Sequence, residues 1–441
     1  MKKIALATLL IATSLTVSAQ SGTNSPYSMF GFGTLAEQGN SQSRGMNGLG
    51  IGFRERNQVN YQNPASYSAL DSLSFIFDAG LSGQITNFNE NGKKKNAYNA
   101  DFEYVVAGFR LAPHLGASFG IIPFSNIGYS FSSTTNINED PSLGTTAAYS
   151  TYKGNGGLHQ VYGGLGWSPV KGFSFGVNFG YLWGNMDRTM SLSFSDSYIN
   201  TRYRNYSAEV KSYSITAGAQ YTFNVSKTDA FTLGATFTPG HKMKANAIVE
   251  NISTNSQTSV SDTISLPGKT NGLDLESPTE IGAGLMWNHD NRWRVGIDYS
   301  LQKWSAVEYP MLTTTADGQA YKLRSNMFND RHKLTLGGEY TPQENSRNFF
   351  KRIHYRFGAS YATPYLRIAD ANNNLVDGPK EYSMSAGFGI PIINTYNNRS
   401  TLNISAQWVR RDATNMLKEN TFRINIGLTF NENWFAKWKV K

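Results

Sequence analysis

The chain contains no cysteine in 441 residues, which excludes a disulfide framework and leaves no acceptor for a lipid anchor. After the N-terminus it has no apolar run of about 18 residues, so it is not a helical membrane protein. Hydrophobic residues make up only 39% and the mean hydropathy is −0.40. Its six histidines, His114, His159, His241, His289, His332 and His354, are scattered, with no two at metal-ligand spacing. No serine stands in a nucleophile elbow. The run Tyr162-Gly163-Gly164-Leu165-Gly166 lies inside a strand pattern with no helix after it, so it is not a phosphate loop. Inward carboxylates read as ion-paired scaffold rather than acid-base catalysts. The expectation is a non-enzyme with no metal and no cofactor.

Lys2 and Lys3 precede an apolar run from Ile4 to Val17, and Val17-Ser18-Ala19 supplies small residues at −3 and −1. This reads as a secretory signal peptide over residues 1–19, with Gln20 as the mature N-terminus. A mature chain of about 420 residues has room for two or three soluble domains, yet no linker separates any. The formal charge is +9, with clusters at Lys93-Lys94-Lys95 and at Lys437, Lys439 and Lys441. In a secreted chain these suit anionic lipid or solvation, and nucleic acid is not expected as a partner.

What is abundant is 42 Gly, 24 Tyr and 26 Phe, the usage of strands and turns. Alternation recurs. Odd positions carry apolar residues in GFSFGVNFGYLW (Phe173, Phe175, Val177, Phe179, Tyr181, Trp183), and even positions do so in TFRINIGLTF (Phe422, Ile424, Ile426, Leu428, Phe430). The opposite faces hold Asn178, Gln220, Gln407, Arg423 and Asn425. Lipid on one side of a wall and a wet or plugged lumen on the other require this pattern. A sandwich or propeller also alternates, but with shorter strands.

Short connections at Pro113-His114, Ser168–Gly172, Asn224–Ala230, Asn288–Arg292, Thr341–Asn348 and Asn394–Arg399 alternate with longer polar stretches near 88–100, 132–157, 187–206, 251–277, 309–326, 369–379 and 411–420. Periplasmic turns and extracellular loops alternate in this way. The hairpins, a first strand from Leu73 and a last one ending at Phe430 give about fourteen strands. The segments near 187–210 and 240–250 carry the weakest pattern. Trp167, Trp287, Trp293, Tyr340 and Tyr355 beside the turns, and Trp183, Tyr299 and Trp304 toward the loops, read as interface girdles.

Before the first strand lie about fifty polar residues rich in Gly, Ser, Asn and Gln, with Arg44, Arg54, Glu55 and Arg56, which suit a plug in a polar lumen. A free tail is the alternative. Inward partners for a plug are Asp78, Arg110, Glu280, Arg294, Asp298, Glu339, Arg356 and Arg423. The stretches SPYSMFGFGTL and RGMNGLGIGFRERNQVNYQNPASYSALDSLSFIFDAG, with Asn63-Pro64-Ala65 just ahead of strand one, resemble the N-terminal region of FadL-like outer-membrane transport proteins of the Bacteroidota type. The resemblance implies an all-β transmembrane barrel of fourteen strands at residues 73–430, a lumenal hatch at 20–72 with Asn63, Pro64 and Ala65 as its motif, and a tail at 431–441. It places the protein in the outer membrane of a Gram-negative bacterium. It further implies passive uptake of hydrophobic, fatty-acid-like compounds through the hatch and an opening in the wall.

The third strand supplies a candidate for that opening. Pro123 lacks an N–H and Gly128 allows a bulge, so Pro123, Phe124, Ser125, Asn126 and Gly128 mark a kink. A barrel-corner bend is the plain structural alternative. A second reading of function is a barrel that docks partners in a secretion or barrel-assembly complex, with the tail residues Trp434, Phe435 and Trp438 as possible contacts. The expected partners are outer-membrane lipid and lipopolysaccharide, a hydrophobic small molecule or lipid, and, on the second reading, other outer-membrane proteins.

Overall fold

The computed structural model describes residues 22–72, 74–137, 146–255, 257–266, 275–315, 318–344, 346–369, 374–393 and 399–432. The expected signal peptide, the expected mature N-terminus Gln20, Leu73 and the tail beyond Glu432 lie outside them.

The alternating segments pair in chain order into a closed antiparallel barrel of fourteen strands. These are β1 Phe75–Glu90, β2 Lys93–Ala112, β3 Leu115–Asn136, β4 Ala147–Val170, β5 Phe173–Phe194 and β6 Thr201–Asn224. β7 comes in two pieces, Asp229–Thr238 and Lys242–Thr254, and β8 in three, Ser261–Leu266, Leu275–Glu276 and Thr279–His289. The ring continues with β9 Trp293–Lys303, β10 Arg331–Tyr340, β11 His354–Ala362, β12 Lys380–Ile393, β13 Arg399–Asp412 and β14 Lys418–Glu432. β1 then pairs with β14 from Phe75–Glu432 to Asn89–Lys418, which closes the seam. The architecture is that of an outer-membrane barrel, since closure leaves no sheet edge in the hydrocarbon.

Period two decides which side of the wall each residue meets. On β1, Phe77 and Leu81 point outward and are exposed, while Asp78 and Ser82 point inward and are buried. On β5, Phe175, Phe179 and Tyr181 are exposed, and Ser174 and Asn178 are buried. That is the lipid-facing pattern.

Toward the extracellular end the pattern inverts. Above Trp183 the outward residues of β5 are Asn185, Asp187 and Thr189, and the inward Leu182 and Met186 are buried. On β6 the outward pair is Glu209 and Lys211, with Ala208 and Val210 buried inside. On the upper piece of β7, Lys242, Lys244 and Asn246 face out, while Met243, Ala245 and Ala247 face in. The solvent outside has changed from lipid to water, so the apolar face must turn to the interior.

Two sequence readings are corrected by this inversion. The polar stretches near 88–100, 132–157 and 187–206 are largely strand rather than loop, because their outward faces meet water. Residues 88–100 form a hairpin whose turn is Asn91-Gly92, both with positive φ (49° and 81°), the conformation that an Asn-Gly hairpin turn favours. Trp304 is not a girdle residue either. It is fully buried at the centre of the upper interior cluster, with its indole N–H on Gln302 at 3.1 Å.

The extra length is one-sided. β4 and β6 each run 24 residues, whereas β10 and β11 run 10 and 9. About 9–11 tilted residues cross the hydrocarbon, so the remainder of β3–β7 stands above the membrane as a wall.

Candidate functional site: the lumen and the gap between β2 and β3

β2 and β3 pair only from Ala112–Leu115 up to Val105–Ile121. Above that row β2 stays with β1 and β3 stays with β4, so the ladder between them ends. At this point β3 carries a bulge between Pro123 and Ser125 in its pairing with β4. The extra residue is Phe124, not a residue at Gly128. It shifts the alternation by one, so that Ile127 and Tyr129 point inward and are buried.

The N-terminal segment fills the open ladder. The two-residue strand Thr34–Leu35 pairs antiparallel with Asn126 and Ser125. Ala36 N–H donates to Phe124 O at 3.0 Å, Gln38 Nε2 donates to Pro123 O at 3.0 Å, and Gly128 N–H donates to Ser28 Oγ at 3.1 Å. Unpaired backbone groups in hydrocarbon cost several kcal/mol each, by order of magnitude. Here the chain's own segment satisfies them.

From the gap the segment runs down the barrel and touches strands on every side of the ring. Asn40 caps the short helix α1 Ser41–Gly45, whose Ser41 N–H donates to Tyr104 OH; Tyr104 in turn donates to Asp78 at 2.9 Å. Arg44 pairs with Glu103 at 2.7 Å, and Glu37 lies 3.6 Å from Arg423. Gln42 donates to Glu339, which is also held by Arg356 at 2.6 Å and Arg294 at 2.8 Å. Asp298 accepts from the backbone N–H groups of Gly50 and Ile51 at 2.7 and 2.8 Å. Arg294 reaches Glu55 at 2.8 Å. Burial raises the Glu55 carboxyl above its ordinary range against the pull of Arg294, and burial lowers the Arg54 guanidinium to about 10. Of the inward partners expected from sequence, Arg110 and Glu280 bond within the wall instead: Arg110 donates to Ala112 O and Glu280 accepts from Gln302.

Asn63, Pro64 and Ala65 sit at the periplasmic end against β4–β7. Asn63 Nδ2 donates to Ile51 O at 2.9 Å and Ala219 O at 3.2 Å, and Asn63 Oδ1 caps the 3-10 turn Pro64–Ala69 by accepting from Ala65 N–H. The wall makes room for it. A Cβ on Gly218 would lie 2.2 Å from Asn63 Oδ1, so only glycine fits that close approach.

In the upper interior Phe32 is fully buried, with ring centroids 5.4 Å from Trp304 and 6.2 Å from Tyr309. Trp304 continues to Tyr365 at 5.0 Å and Phe328 at 5.8 Å. Beside this apolar cluster lies a cavity of about 270 Å³ whose lining includes Gln38, Gln62, Glu103, Gln160 and Gln407. Among the described residues no group of three or more His, Asp or Glu side chains is placed to hold a metal ion. Sequence reasoning missed Phe32, Thr34, Leu35 and Glu103. A two-residue strand has no period to detect, and Phe32 lies in a Gly-rich run that reads as turn.

The sequence profile of the BamG family matches residues 1–441 of the chain. The chain belongs to the BamG family. No curated protein sequence matches this BamG-family chain. In solved structures its fold recurs. The toluene transporter TodX of Pseudomonas putida is 13% identical at a TM-score of 0.58, over 91% of this chain and 100% of that one. The toluene transporter TbuX of Ralstonia pickettii is 13% identical at 0.57, over 89% and 98%. A FadL homologue of Pseudomonas aeruginosa is 11% identical at 0.57, over 91% and 99%. The BamG-family chain therefore shares the FadL-like barrel fold, and such identities carry fold rather than activity.

Proposed function

We propose that this barrel works as a closed subunit that docks other proteins in an outer-membrane assembly of the secretion or barrel-assembly kind. The carrying observation is Phe32. The apolar volume where a hydrophobic compound would rest is occupied by the chain's own Phe32, Trp304, Tyr309 and Tyr365. The open cavity beside them is lined by carboxylates and amides such as Glu37, Glu103, Gln38 and Gln407 as well as by Leu35, Ile122 and Phe124, and an apolar solute there would strip water from the polar groups without replacing their hydrogen bonds. A barrel sealed in this way offers surfaces, and the wall of β3–β7 above the membrane is one of them. Membership of the BamG family spans the whole chain, whereas the hydrocarbon transporters share only its fold.

A second reading is favoured by a different observation. The ladder gap is closed, among the described residues, by one two-residue pairing and four further hydrogen bonds, each worth about 1 kcal/mol net. Withdrawal of Phe30–Gln38 would open a route from the lumen to the bilayer beside Pro123, with Asn63-Pro64-Ala65 as the fixed end of a moving hatch. On that reading the protein takes up hydrophobic compounds, as the names of TbuX and TodX say of those proteins.

Purification from native membranes in mild detergent tests the two together. Stoichiometric protein partners, with unchanged uptake of toluene or oleate after deletion of the gene, are expected. Recovery of the barrel alone with a bound apolar compound, and loss of uptake on deletion, would overturn the docking reading in favour of transport.

A further inference from the structure

On the outer surface of β4–β7 the strand register places His159 opposite Trp183, Trp183 opposite Lys211, and Lys211 opposite Lys244. This row marks the height at which the outward faces change from apolar to polar. Just below it Val161, Tyr181 and Tyr213 are exposed, and just above it stand Asn185, Glu209 and Asn246. Trp183 stacks on Tyr181 with centroids 6.1 Å apart, and Tyr213 stacks on His241 at 4.2 Å. Amphipathic aromatics of this kind belong at the lipid head groups.

At that height Lys211 faces Lys244 directly across the sheet, and Lys242 is its next same-face neighbour on β7. Like charges directly opposite destabilise a strand pair. Two carboxylates relieve this in part: Glu209 lies 2.6 Å from Lys211 and Glu276 4.0 Å from Lys242. Asp187, two same-face positions higher, accepts a hydrogen bond from Ser207. Lys244 forms no ion pair among the described residues. The three ammonium groups exceed the two carboxylates beside them, and all three lysines are exposed.

We propose that Lys211, Lys242 and Lys244 form a site for a phosphate group of the outer-leaflet glycolipid, whose acyl chains lie along Tyr181, Tyr213 and the apolar faces of β5 and β6. The long-loop side of the barrel is extracellular, so the leaflet at this row is the one that carries lipid A. A phosphate between the two strands removes the lysine–lysine repulsion, and Trp183 and His241 flank it.

The test uses full-length barrel in detergent, with native mass spectrometry following added bisphosphorylated lipid A, its dephosphorylated form, or phosphatidylglycerol. Wild type should bind bisphosphorylated lipid A at least tenfold better than either other lipid. A Lys211→Gln, Lys242→Gln, Lys244→Gln variant should lose that preference while its barrel unfolds at the wild-type temperature. If the triple variant fails to fold, Lys244→Gln alone should lower lipid A binding severalfold. Equal binding of all three lipids by wild type, unchanged binding by the variants, or a loss that follows substitution of Lys93, Lys94 and Lys95 instead, would each overturn the site.

Discussion

Leu35 and Ser125 are antiparallel strand partners although 90 residues of chain separate them, and their pairing stands where β2 should be. Directly opposed antiparallel residues sit about 4.5–5.5 Å apart at Cα, within disulfide range. A Leu35→Cys, Ser125→Cys variant should therefore cross-link on oxidation without loss of folded barrel, visible as a reductant-sensitive band shift. In the docking reading the cross-linked protein still assembles with its partners. Uptake that stops on oxidation and returns with reductant would instead favour the hatch reading.

Phe32→Ala should cost about 3–5 kcal/mol of stability, as buried Phe truncations do. The vacated apolar space between Trp304 and Tyr309 should then bind a small hydrocarbon that the wild type does not. Fluorescence of a solvatochromic naphthylamine probe, displaced by toluene, would report it. No gain in binding would show that the interior collapses around the deletion.

Glu339 is buried among Arg356, Arg294 and His354. Glu339→Gln leaves buried cations uncompensated and should cost about 3–5 kcal/mol, more than removal of the exposed Lys211–Glu209 pair, which water and salt screen. The temperature at which the barrel unfolds in detergent gives the comparison.

Gly218→Val would drive a side chain into Asn63 and should displace the N-terminal segment while the wall still closes. A cysteine at buried Ser66, refractory to bulky maleimide in the parent, should become reactive in the Gly218→Val background. Continued protection would mean that Asn63 is not what anchors the segment.

The lower barrel was legible because lipid outside and polar groups inside impose one rule on every strand, from Phe77 and Asp78 to Ile426 and Asn425. The same rule hid the upper half. Where water replaces lipid, Lys242–Asn246 and Asn185–Thr189 keep the strand period but reverse its sign, so the first reads only as a weak strand pattern and the second, from Asp187, as loop. Pro123 could be picked out because proline changes backbone hydrogen bonding wherever it stands, and Asn63-Pro64-Ala65 through its resemblance to the N-terminal region of FadL-like proteins. Their companions Leu35, Phe32 and Glu103 could not, since each acts through a partner far away in the chain. Trp304 was misread because a tryptophan at a strand end suits an interface and a core equally well.

The uneven height of the strands gives the molecule a front and a back within the plane of the membrane. β3–β7 rise well clear of the head groups, while β10 and β11 end close to them. A protein confined to two dimensions turns only about the bilayer normal, so a neighbour approaching along the surface meets either the tall barrel strands or the side where the barrel strands are short. Orientation, ordinarily the costly part of an encounter, is then reduced to a single angle.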